Sequence, residues 1–177
     1  MLAQAGRAPA DLTGVAVGTG PGPFTGLRVG LVTAQALAEA LGVPAHGVCT
    51  LDVLAAEAVA LGAVDGPFVV ATDARRREVY WAAYDAAGER TDGPHVDLPA
   101  SVPVDGRPVV GRGASLYPEH LGGDPADPIG PLDPSAAGLA DLVVRRLARG
   151  DDLSDLSPRY LRRPDVHEAG PRKSVLT

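Results

Sequence analysis

The first third of the chain alternates short apolar runs with a longer stretch in which apolar residues recur at helical spacing. Residues 15–17 are all apolar and form the pattern of a short buried strand. Residues 24–41 carry apolar side chains at helical spacing, and Gly42 follows them as a stop signal. A second strand over 46–49 and a second helix over 51–61 complete the pattern. This order of elements predicts an α/β lobe.

Local residue preferences predict where three helices begin. Pro23 suits the first position of the long helix, with Gly22 before it, because proline lacks the N–H that this position leaves unpaired. Thr50 suits the cap of the second helix, since its hydroxyl can accept from a first-turn N–H. Residues 133–149 begin with Asp-Pro, which predicts a cap residue and a first helical residue for a last helix.

The second half of the chain predicts strands over 68–72 and 79–84. In the latter, odd-numbered residues are predicted on one face and even-numbered residues on the other. Residues 91–108 are rich in Pro, Asp and Gly and predict a loop with at most one short strand. We therefore divide the chain into a partial first lobe, residues 1–64, and a second lobe with a C-terminal tail, residues 65–177.

The long predicted helix is apolar on two sides. One side holds six residues at helical spacing: Phe24, Leu27, Leu31, Ala34, Ala38 and Leu41. Another side is also apolar and holds Val29, Val32, Ala36 and Ala40. A helix this apolar needs cover on two sides, and its own sheet can cover one of them. The second side is expected beneath either another segment of the same polypeptide or a helix of a partner protein.

Composition and charge argue against several classes of protein. Hydrophobic residues make up 45% of the 177 residues, which permits a packed core. The formal net charge of −6 makes the chain a poor candidate for holding nucleic acid through phosphate contacts. Cys49 is the sole cysteine, and the sequence shows neither a secretory signal nor a membrane span. These features predict a cytoplasmic protein with no internal disulfide and no membrane partner.

Gly18, Gly20 and Gly22 lie between the first strand and the long helix, where a phosphate-binding loop would lie. The segment lacks the lysine of a Walker A loop, and its spacing does not fit the dinucleotide motif G-x-G-x-x-G. We therefore predict that these glycines form a tight structural turn and that the chain holds no cofactor. The four histidines are dispersed and no G-x-S-x-G elbow occurs, so neither a metal site, a peptidase nor any catalytic residue is predicted.

Four ordered segments carry a resemblance to a known family. They are 18–30, 44–51, 73–80 and 157–162, which read GTGPGPFTGLRVG, PAHGVCTL, DARRREVY and SPRYLR. On these motifs the chain resembles the TsaB (YeaZ) family, whose members take part in making threonylcarbamoyladenosine in tRNA. The resemblance implies the actin-like, sugar-kinase-like (ASKHA) two-lobe α/β fold. Family members usually begin with further strands and a helix, so we expect the first lobe to be incomplete, with its amino-terminal part missing here.

The resemblance also implies a function. It implies a non-catalytic scaffold that pairs with and activates TsaD, the subunit that forms N6-threonylcarbamoyladenosine at position 37 of tRNAs. It further implies that the ATPase TsaE docks at the TsaB–TsaD junction, that TsaB can form homodimers, and that tRNA is contacted only indirectly. Five residues are then expected at the partner interface: Phe24, Thr25, Arg28, Val32 and Gln35. The alternative is an actin-like-fold ATPase or phosphotransferase whose first phosphate loop is absent from this chain.

Several charged and aromatic residues carry further expectations. Arg28 lies near the positive end of the helix dipole, so we expect it either to meet a carboxylate, for example from a partner, or to be solvated. The segment 73–78 holds three arginines between two acidic residues, which indicates a solvated hairpin tip or a contact with tRNA phosphates or an acidic partner. Tyr160 and Arg162 are expected to anchor the tail on the second lobe.

Overall fold

A computed structural model describes residues 2–162 of the chain. Its helices are α1 (Phe24–Leu41), α2 (Thr50–Ala60), α3 (Arg112–Leu116), α4 (Pro118–Leu121) and α5 (Ala136–Ala148). Its strands are β1 (Val15–Gly18), β2 (Ala45–Val48), β3 (Phe68–Asp73), β4 (Val79–Tyr84), β5 (Arg90–Asp97) and β6 (Val109–Val110). Short 3-10 turns cover Ala3–Ala5, Pro9–Asp11 and Pro99–Ser101. Within residues 2–162 there is no helix long and apolar enough to cross a membrane.

β1 and β2 form a small parallel sheet with a helix on each face. The two strands pair in register along their length, and α1 makes the crossover between them. Leu27 and Leu31 of α1 pack with Val17 of β1 on one face. Leu142 of α5 packs with Val48 of β2 on the opposite face. The alternation of side chains along the strands therefore serves two different helices, so this first sheet is covered on both faces.

The second sheet has the strand order β5-β4-β3-β6, in which only the β3–β6 pair is parallel. Val79 and Trp81 of β4 belong to a core cluster that includes side chains of α3 and α4. Ala82 and Tyr84 belong to a separate cluster against α2. This arrangement confirms the predicted alternation of the two faces along residues 79–84.

α2 lies between the two sheets and is the common support of both lobes. Leu51 and Leu54 pack against the second sheet, while Val53 and Ala56 pack with side chains of β2 and α5. Seven of its eleven residues are buried. A helix covered on so much of its surface shows little amphipathic pattern, because few of its positions face water.

The ends of α1 and α2 show how closely local signals predict helix boundaries. α1 runs from Phe24 to Leu41, as predicted from the sequence. Pro23 is not the first helical residue: it is the cap residue, with ψ 126, and the helix starts at Phe24. Thr50 is not a cap either, because α2 already begins at this residue.

The start of α5 also differs from the prediction. Ser135 rather than Asp133 caps the helix, and its Oγ accepts the Gly138 N–H at 2.9 Å. Asp133 instead accepts a hydrogen bond from Nε of Arg112 at 3.1 Å. The Asp-Pro pair therefore lies outside the helix, and Ser135, which follows it, is extended with φ −95 and ψ 156.

Residues 91–108 were predicted as a loop with at most one short strand, and they hold one strand, which is longer than expected at eight residues. β5 covers Arg90–Asp97 and pairs antiparallel with β4, with an irregular register near Gly93. β5 lies at the edge of the sheet, where a strand tolerates glycine and proline because one side of its backbone needs no partner. The Gly and Pro content of this segment is typical of a loop, so the composition alone did not indicate an edge strand of this length.

Residues 151–162, which we call the C-terminal strap, cross back over the first lobe without regular secondary structure. The N–H of Gly47 in β2 donates to the carbonyl of Leu153 at 2.8 Å. A Cβ on Gly47 would lie 2.5 Å from the carbonyl oxygen of Asp155, so the approach of the strap requires glycine at this position. The strap therefore covers the edge of β2.

The division of the chain at residues 64 and 65 stays a prediction. The structure adds that both α5 and the C-terminal strap, which follow that boundary, pack on the first sheet. The last described residues therefore pack on elements formed by the first residues of the chain.

Candidate functional site

α1 presents its second apolar side to solvent. The buried residues of this helix are Leu27, Leu31, Ala34 and Ala38, which face the first sheet. The opposite side, which we call the outer face of α1, consists of Val29, Val32, Ala36 and Ala40, all exposed. Val29 and Val32 are 61% and 63% exposed. Residues 2–162 therefore cover one of the two apolar sides that the sequence predicts.

The five residues expected at a partner interface are all exposed: Phe24, Thr25, Arg28, Val32 and Gln35. They occupy the first two thirds of α1. Phe24 was grouped by spacing with the buried side, but it is 53% exposed. Their role at an interface remains a prediction.

The C-terminal strap reaches the start of α1 through an aromatic and cationic stack. Nε of Arg28 donates to the hydroxyl of Tyr160 at 2.7 Å. The Arg28 guanidinium carbon lies 4.0 Å from the centroid of the Phe24 ring, and the Phe24 and Tyr160 rings are 5.1 Å apart. Two aromatic rings and a phenol oxygen therefore hold this guanidinium, and among the described residues no carboxylate pairs with it.

Sequence reasoning missed this contact of Tyr160. Tyr160 was expected on the second lobe, but it contacts α1 of the first lobe. Arg162 does contact the second lobe, through the carboxylate of Glu78. In the sequence, only the motif SPRYLR marks this segment, and the motif does not indicate which residues the segment contacts.

The three glycines before α1 differ in how tightly they are enclosed. Gly20 has φ +96, and a Cβ there would lie 3.0 Å from Leu27. A Cβ on Gly18 would lie 3.1 Å from the hydroxyl of Thr50. Around Gly22 the space is open, with nothing within 4 Å of an added Cβ. Gly20 is therefore the position at which both backbone conformation and space require glycine.

A cleft of about 620 Å³ opens between the start of α1, the β3–β4 turn and the end of the strap. Five of its lining residues are arginines: Arg28, Arg75, Arg76, Arg159 and Arg162. Phe24, Tyr80 and Tyr160 add aromatic surface to the same cleft. Two of the residues expected at a partner interface, Phe24 and Arg28, thus also form part of its wall.

The β3–β4 turn has an unusual backbone. Arg75, Arg76 and Arg77 have φ values of 63, 53 and 61, so three successive non-glycine residues adopt the left-handed conformation. This conformation costs roughly 1–2 kcal/mol for each such residue. Asp73 supports the turn, since its carboxylate accepts the Arg75 N–H at 2.7 Å and pairs with the Arg75 side chain at 3.1 Å. Outliers of this kind are concentrated at functional sites.

Asp52 is the centre of a buried charge network. Its side chain is 1% exposed, and it pairs with Arg90 at 3.2 Å and with Arg146 at 3.1 Å. The hydroxyl of Tyr84 donates to the same carboxylate at 2.9 Å. Because these partners lie on β5, α5 and β4, one carboxylate joins α2 to three other elements. All of these partners come from the chain itself, so the network has the character of a structural element.

Cys49 lies beside this network and is buried. Burial, and to a lesser extent the charge of Asp52, raises the pKa of the Cys49 thiol. Its thiolate fraction at neutral pH is therefore small, which makes it a poor nucleophile. Residues 2–162 also contain no group of three or more His, Cys, Asp or Glu side chains arranged to hold a metal ion.

Comparisons with known proteins identify the family. A family model described as TsaD, tRNA N6-adenosine threonylcarbamoyltransferase, matches residues 1–168. A crystal structure from Pseudomonas aeruginosa, of a protein described as similar to peptidase YeaZ, shares 32% identity and a TM-score of 0.74. The match covers 91% of this chain and 79% of that one. The chain belongs to the TsaB (YeaZ) family.

Two other relatives of this TsaB-family chain bear on its function. TsaB of Escherichia coli, a tRNA threonylcarbamoyladenosine biosynthesis protein, is 40% identical over 84 residues, which are 48% of this chain and 36% of that protein. An uncharacterized protein of Mycobacterium tuberculosis is 44% identical over 165 residues, 93% of this chain and 71% of its own. The TsaB family is involved in the threonylcarbamoyladenosine modification of tRNA, and its fold is the actin-like ASKHA fold.

Proposed function

We propose that this TsaB-family chain is a non-catalytic, cytoplasmic subunit that pairs with TsaD and activates it for threonylcarbamoyladenosine formation in tRNA. The observation that carries the proposal is the outer face of α1, which residues 2–162 leave uncovered. An apolar helix side of this length in water is unfavourable unless another surface covers it, because burial of apolar side chains releases free energy in proportion to the area removed from water. A partner helix is a suitable cover, since alanine at positions 36 and 40 lets another backbone approach closely.

Residues at the start of α1 also favour the binding of a partner next to the outer face. Arg28 is held against Phe24 by the Tyr160 hydroxyl, so its side chain loses little additional conformational entropy when a partner binds. Arginine and aromatic residues are enriched among the residues that dominate binding energy at interfaces. We therefore propose that Phe24 and Arg28 contribute to this interface together with Thr25, Val32 and Gln35.

The remaining partners are proposed from the family resemblance. A homodimer that uses the outer face of α1 competes with TsaD, because one helix face accommodates one partner at a time. TsaE is proposed at the junction that this chain forms with TsaD. The net charge of −6 supports only an indirect contact with tRNA.

The transferase named in the matching family model is TsaD itself, and we assign the transfer reaction to that partner. The glycine loop before α1 contains no lysine, which weighs against the alternative of an ATPase or phosphotransferase. Cys49 and Asp52, the most deeply buried candidates for chemistry, are enclosed in the core rather than open to a substrate. These features support a scaffold rather than a catalyst.

The proposal is tested by reconstitution with TsaD from the same organism. N6-threonylcarbamoyladenosine in tRNA is measured with the other pathway proteins present, and with this chain added or omitted. We expect modification to require both TsaD and this chain, and neither alone to suffice. Modification by this chain without TsaD would contradict the non-catalytic role, and full modification by TsaD without this chain would contradict the activating role.

A further inference from the structure

We infer that Tyr160 of the C-terminal strap is a positioning residue of the partner interface, and that Arg28, which it holds, binds a carboxylate of the partner protein. The inference rests on the proposed function. It adds to that function a contribution from the strap and the chemistry of the side chain that faces Arg28. The contact that carries it is the hydrogen bond of 2.7 Å from Nε of Arg28 to the hydroxyl of Tyr160.

Tyr160 lies between two anchored residues of the strap. The N–H of Arg159 donates to the carbonyl of Thr19 at 2.8 Å, and Nε of Arg159 donates to the Thr19 hydroxyl at 3.3 Å. Thr19 is 1% exposed, so this anchor is buried in the first lobe. On the other side of Tyr160, Arg162 pairs with the carboxylate of Glu78 in the second lobe. The strap therefore presents the Tyr160 hydroxyl to α1 from a backbone that is anchored before and after it.

The contacts of Arg28 leave part of its guanidinium available. Its guanidinium carbon lies 4.0 Å from the centroid of the Phe24 ring and 5.5 Å from that of the Tyr160 ring, within the range of a cation–π contact. Its Nε is used by the Tyr160 hydroxyl. Among residues 2–162 the terminal nitrogens of Arg28 have neither a hydrogen-bond acceptor nor a carboxylate partner. Their N–H donors are therefore available to a group outside the described chain.

Arg28 adjoins the outer face of α1. Val32, which is 63% exposed, lies one helical turn further along, and residues four apart are neighbours on a helix surface. A protein that covers Val32 therefore reaches Arg28 as well. Covering a charged guanidinium without an opposite charge is costly, because the charge loses its contact with water. A carboxylate of the partner would offset this cost, and its two oxygens match the planar fork of an arginine.

A phosphate of tRNA is the other anion that an arginine binds. The formal net charge of −6 opposes the approach of a nucleic acid. The surface next to Arg28 is the apolar outer face of α1, which matches the apolar centre of a protein interface better than a sugar-phosphate backbone. These two observations favour a carboxylate of a protein.

The inference is tested by measuring the dissociation constant for TsaD in single variants. Tyr160→Phe keeps the aromatic ring against Phe24 and removes only the hydroxyl, and we expect the dissociation constant to rise by about threefold to tenfold. Arg28→Gln should raise it by at least about tenfold. Tyr117→Phe is the matched control, because Tyr117 is half-buried and packs in the second lobe with α3 and α4. It should stay within about twofold of the unmodified chain, and an equal rise in Tyr117→Phe and Tyr160→Phe would overturn the inference.

A double-mutant cycle distinguishes positioning from a separate structural role. If Tyr160 acts through Arg28, the double variant Tyr160→Phe with Arg28→Gln should bind TsaD within about twofold of Arg28→Gln alone. Independent effects would multiply in the double variant, and that result would overturn the positioning role. Arg28→Gln should also reduce the dependence of the dissociation constant on ionic strength, because salt screens an ion pair. An unchanged salt dependence would overturn the carboxylate.

Two comparisons separate this inference from the proposed function. Val32→Glu, measured in parallel, tests the outer face itself. Weaker binding in Val32→Glu with unchanged binding in Tyr160→Phe would overturn the inference and leave the proposed function standing, whereas unchanged binding in both would overturn the two together. Loss of tRNA binding in Arg28→Gln with unchanged affinity for TsaD would assign Arg28 to a phosphate and overturn the inference.

A measurement on the unmodified chain guards against a variant that does not fold. The NMR resonance of the Arg28 Nε–H group should shift when TsaD is added, because the guanidinium gains a carboxylate partner. An unchanged resonance in the complex with TsaD would overturn the inference.

Discussion

Asp52 joins four elements of the fold through one buried carboxylate. Its partners Arg90, Arg146 and Tyr84 come from different parts of the chain, and the carboxylate itself is 1% exposed. A buried ion pair contributes little net stability over an apolar core, but removing one partner leaves the others buried without compensation. We therefore expect the largest loss in the free energy of unfolding when one partner is removed and the others stay buried.

Replacement of Asp52 by alanine tests this network. Asp52→Ala leaves Arg90 and Arg146 without their carboxylate, so we expect the free energy of unfolding to fall by about 3 kcal/mol in urea denaturation. Asp141→Ala is the matched control, because Asp141 forms an exposed i,i+4 pair with Arg145. It should cost no more than about 0.5 kcal/mol. Similar losses in the two variants would contradict a buried network at Asp52.

The pKa of Tyr84 makes a prediction at alkaline pH. Burial, together with the charge of Asp52, raises the pKa of the Tyr84 hydroxyl well above its ordinary value. Above about pH 10 the folded chain then holds a proton that the unfolded chain has lost, so the free energy of unfolding falls as pH rises further. Below that pH the contribution is fully present.

Tyr84→Phe should flatten this alkaline decline, because the variant has no hydroxyl to ionise. The free energy of unfolding is measured by urea denaturation from pH 7 to pH 11 in both proteins. Cys49, whose pKa is also raised, is present in both and cancels from the comparison. At pH 7 the variant is expected to be less stable by about 1 kcal/mol, since Asp52 loses one donor. Parallel curves above pH 10 would contradict the assignment.

At the scale of elements, the strap depends on a close approach to β2 that only glycine allows. Gly47→Ala would place Cβ 2.5 Å from the Asp155 carbonyl and 2.7 Å from a methyl group of Thr19. We expect a loss of about 1–3 kcal/mol in the free energy of unfolding, as for other overpacked sites. Faster hydrogen exchange at the amide of residue 47, which donates to Leu153, would show that the strap has moved.

The control for this variant is Gly30→Ala in α1, where an added Cβ meets nothing within 4 Å. Alanine is the better helix former, so this variant should gain about 0.5–1 kcal/mol. If Gly47→Ala were also neutral or stabilising, the strap would not be packed against β2 as described.

The elements differ in how far the sequence predicts them. The limits of α1 and the two faces of β4 follow from local periodicity and a stop glycine, so they can be predicted without knowing the fold. β5 could not, because its Gly and Pro are tolerated only at a sheet edge, which is a property of the whole sheet. The cap of α5 was misplaced by two residues for a similar reason, since Asp133 is engaged by Arg112 from another helix.

At the scale of the whole molecule, the candidate site depends on contacts between distant parts of the chain. Arg28 and Tyr160 are 132 residues apart, so their hydrogen bond left no pattern in the sequence. The exposed outer face of α1, by contrast, was predictable as one of two apolar sides, because helical spacing places those residues together. What the sequence left open was whether the described chain covers that side, and residues 2–162 leave it exposed.

The central claim is that the outer face of α1 binds TsaD, and the affinity of Val32→Glu for TsaD tests it most directly. Val144→Glu on α5 is the matched control, because Val32 and Val144 are 63% and 65% exposed. Both variants should keep the free energy of unfolding within about 0.5 kcal/mol of the unmodified chain. We expect Val32→Glu to raise the dissociation constant for TsaD at least about tenfold, and Val144→Glu to leave it unchanged. An unchanged dissociation constant for Val32→Glu, or an equal rise for Val144→Glu, would contradict the account.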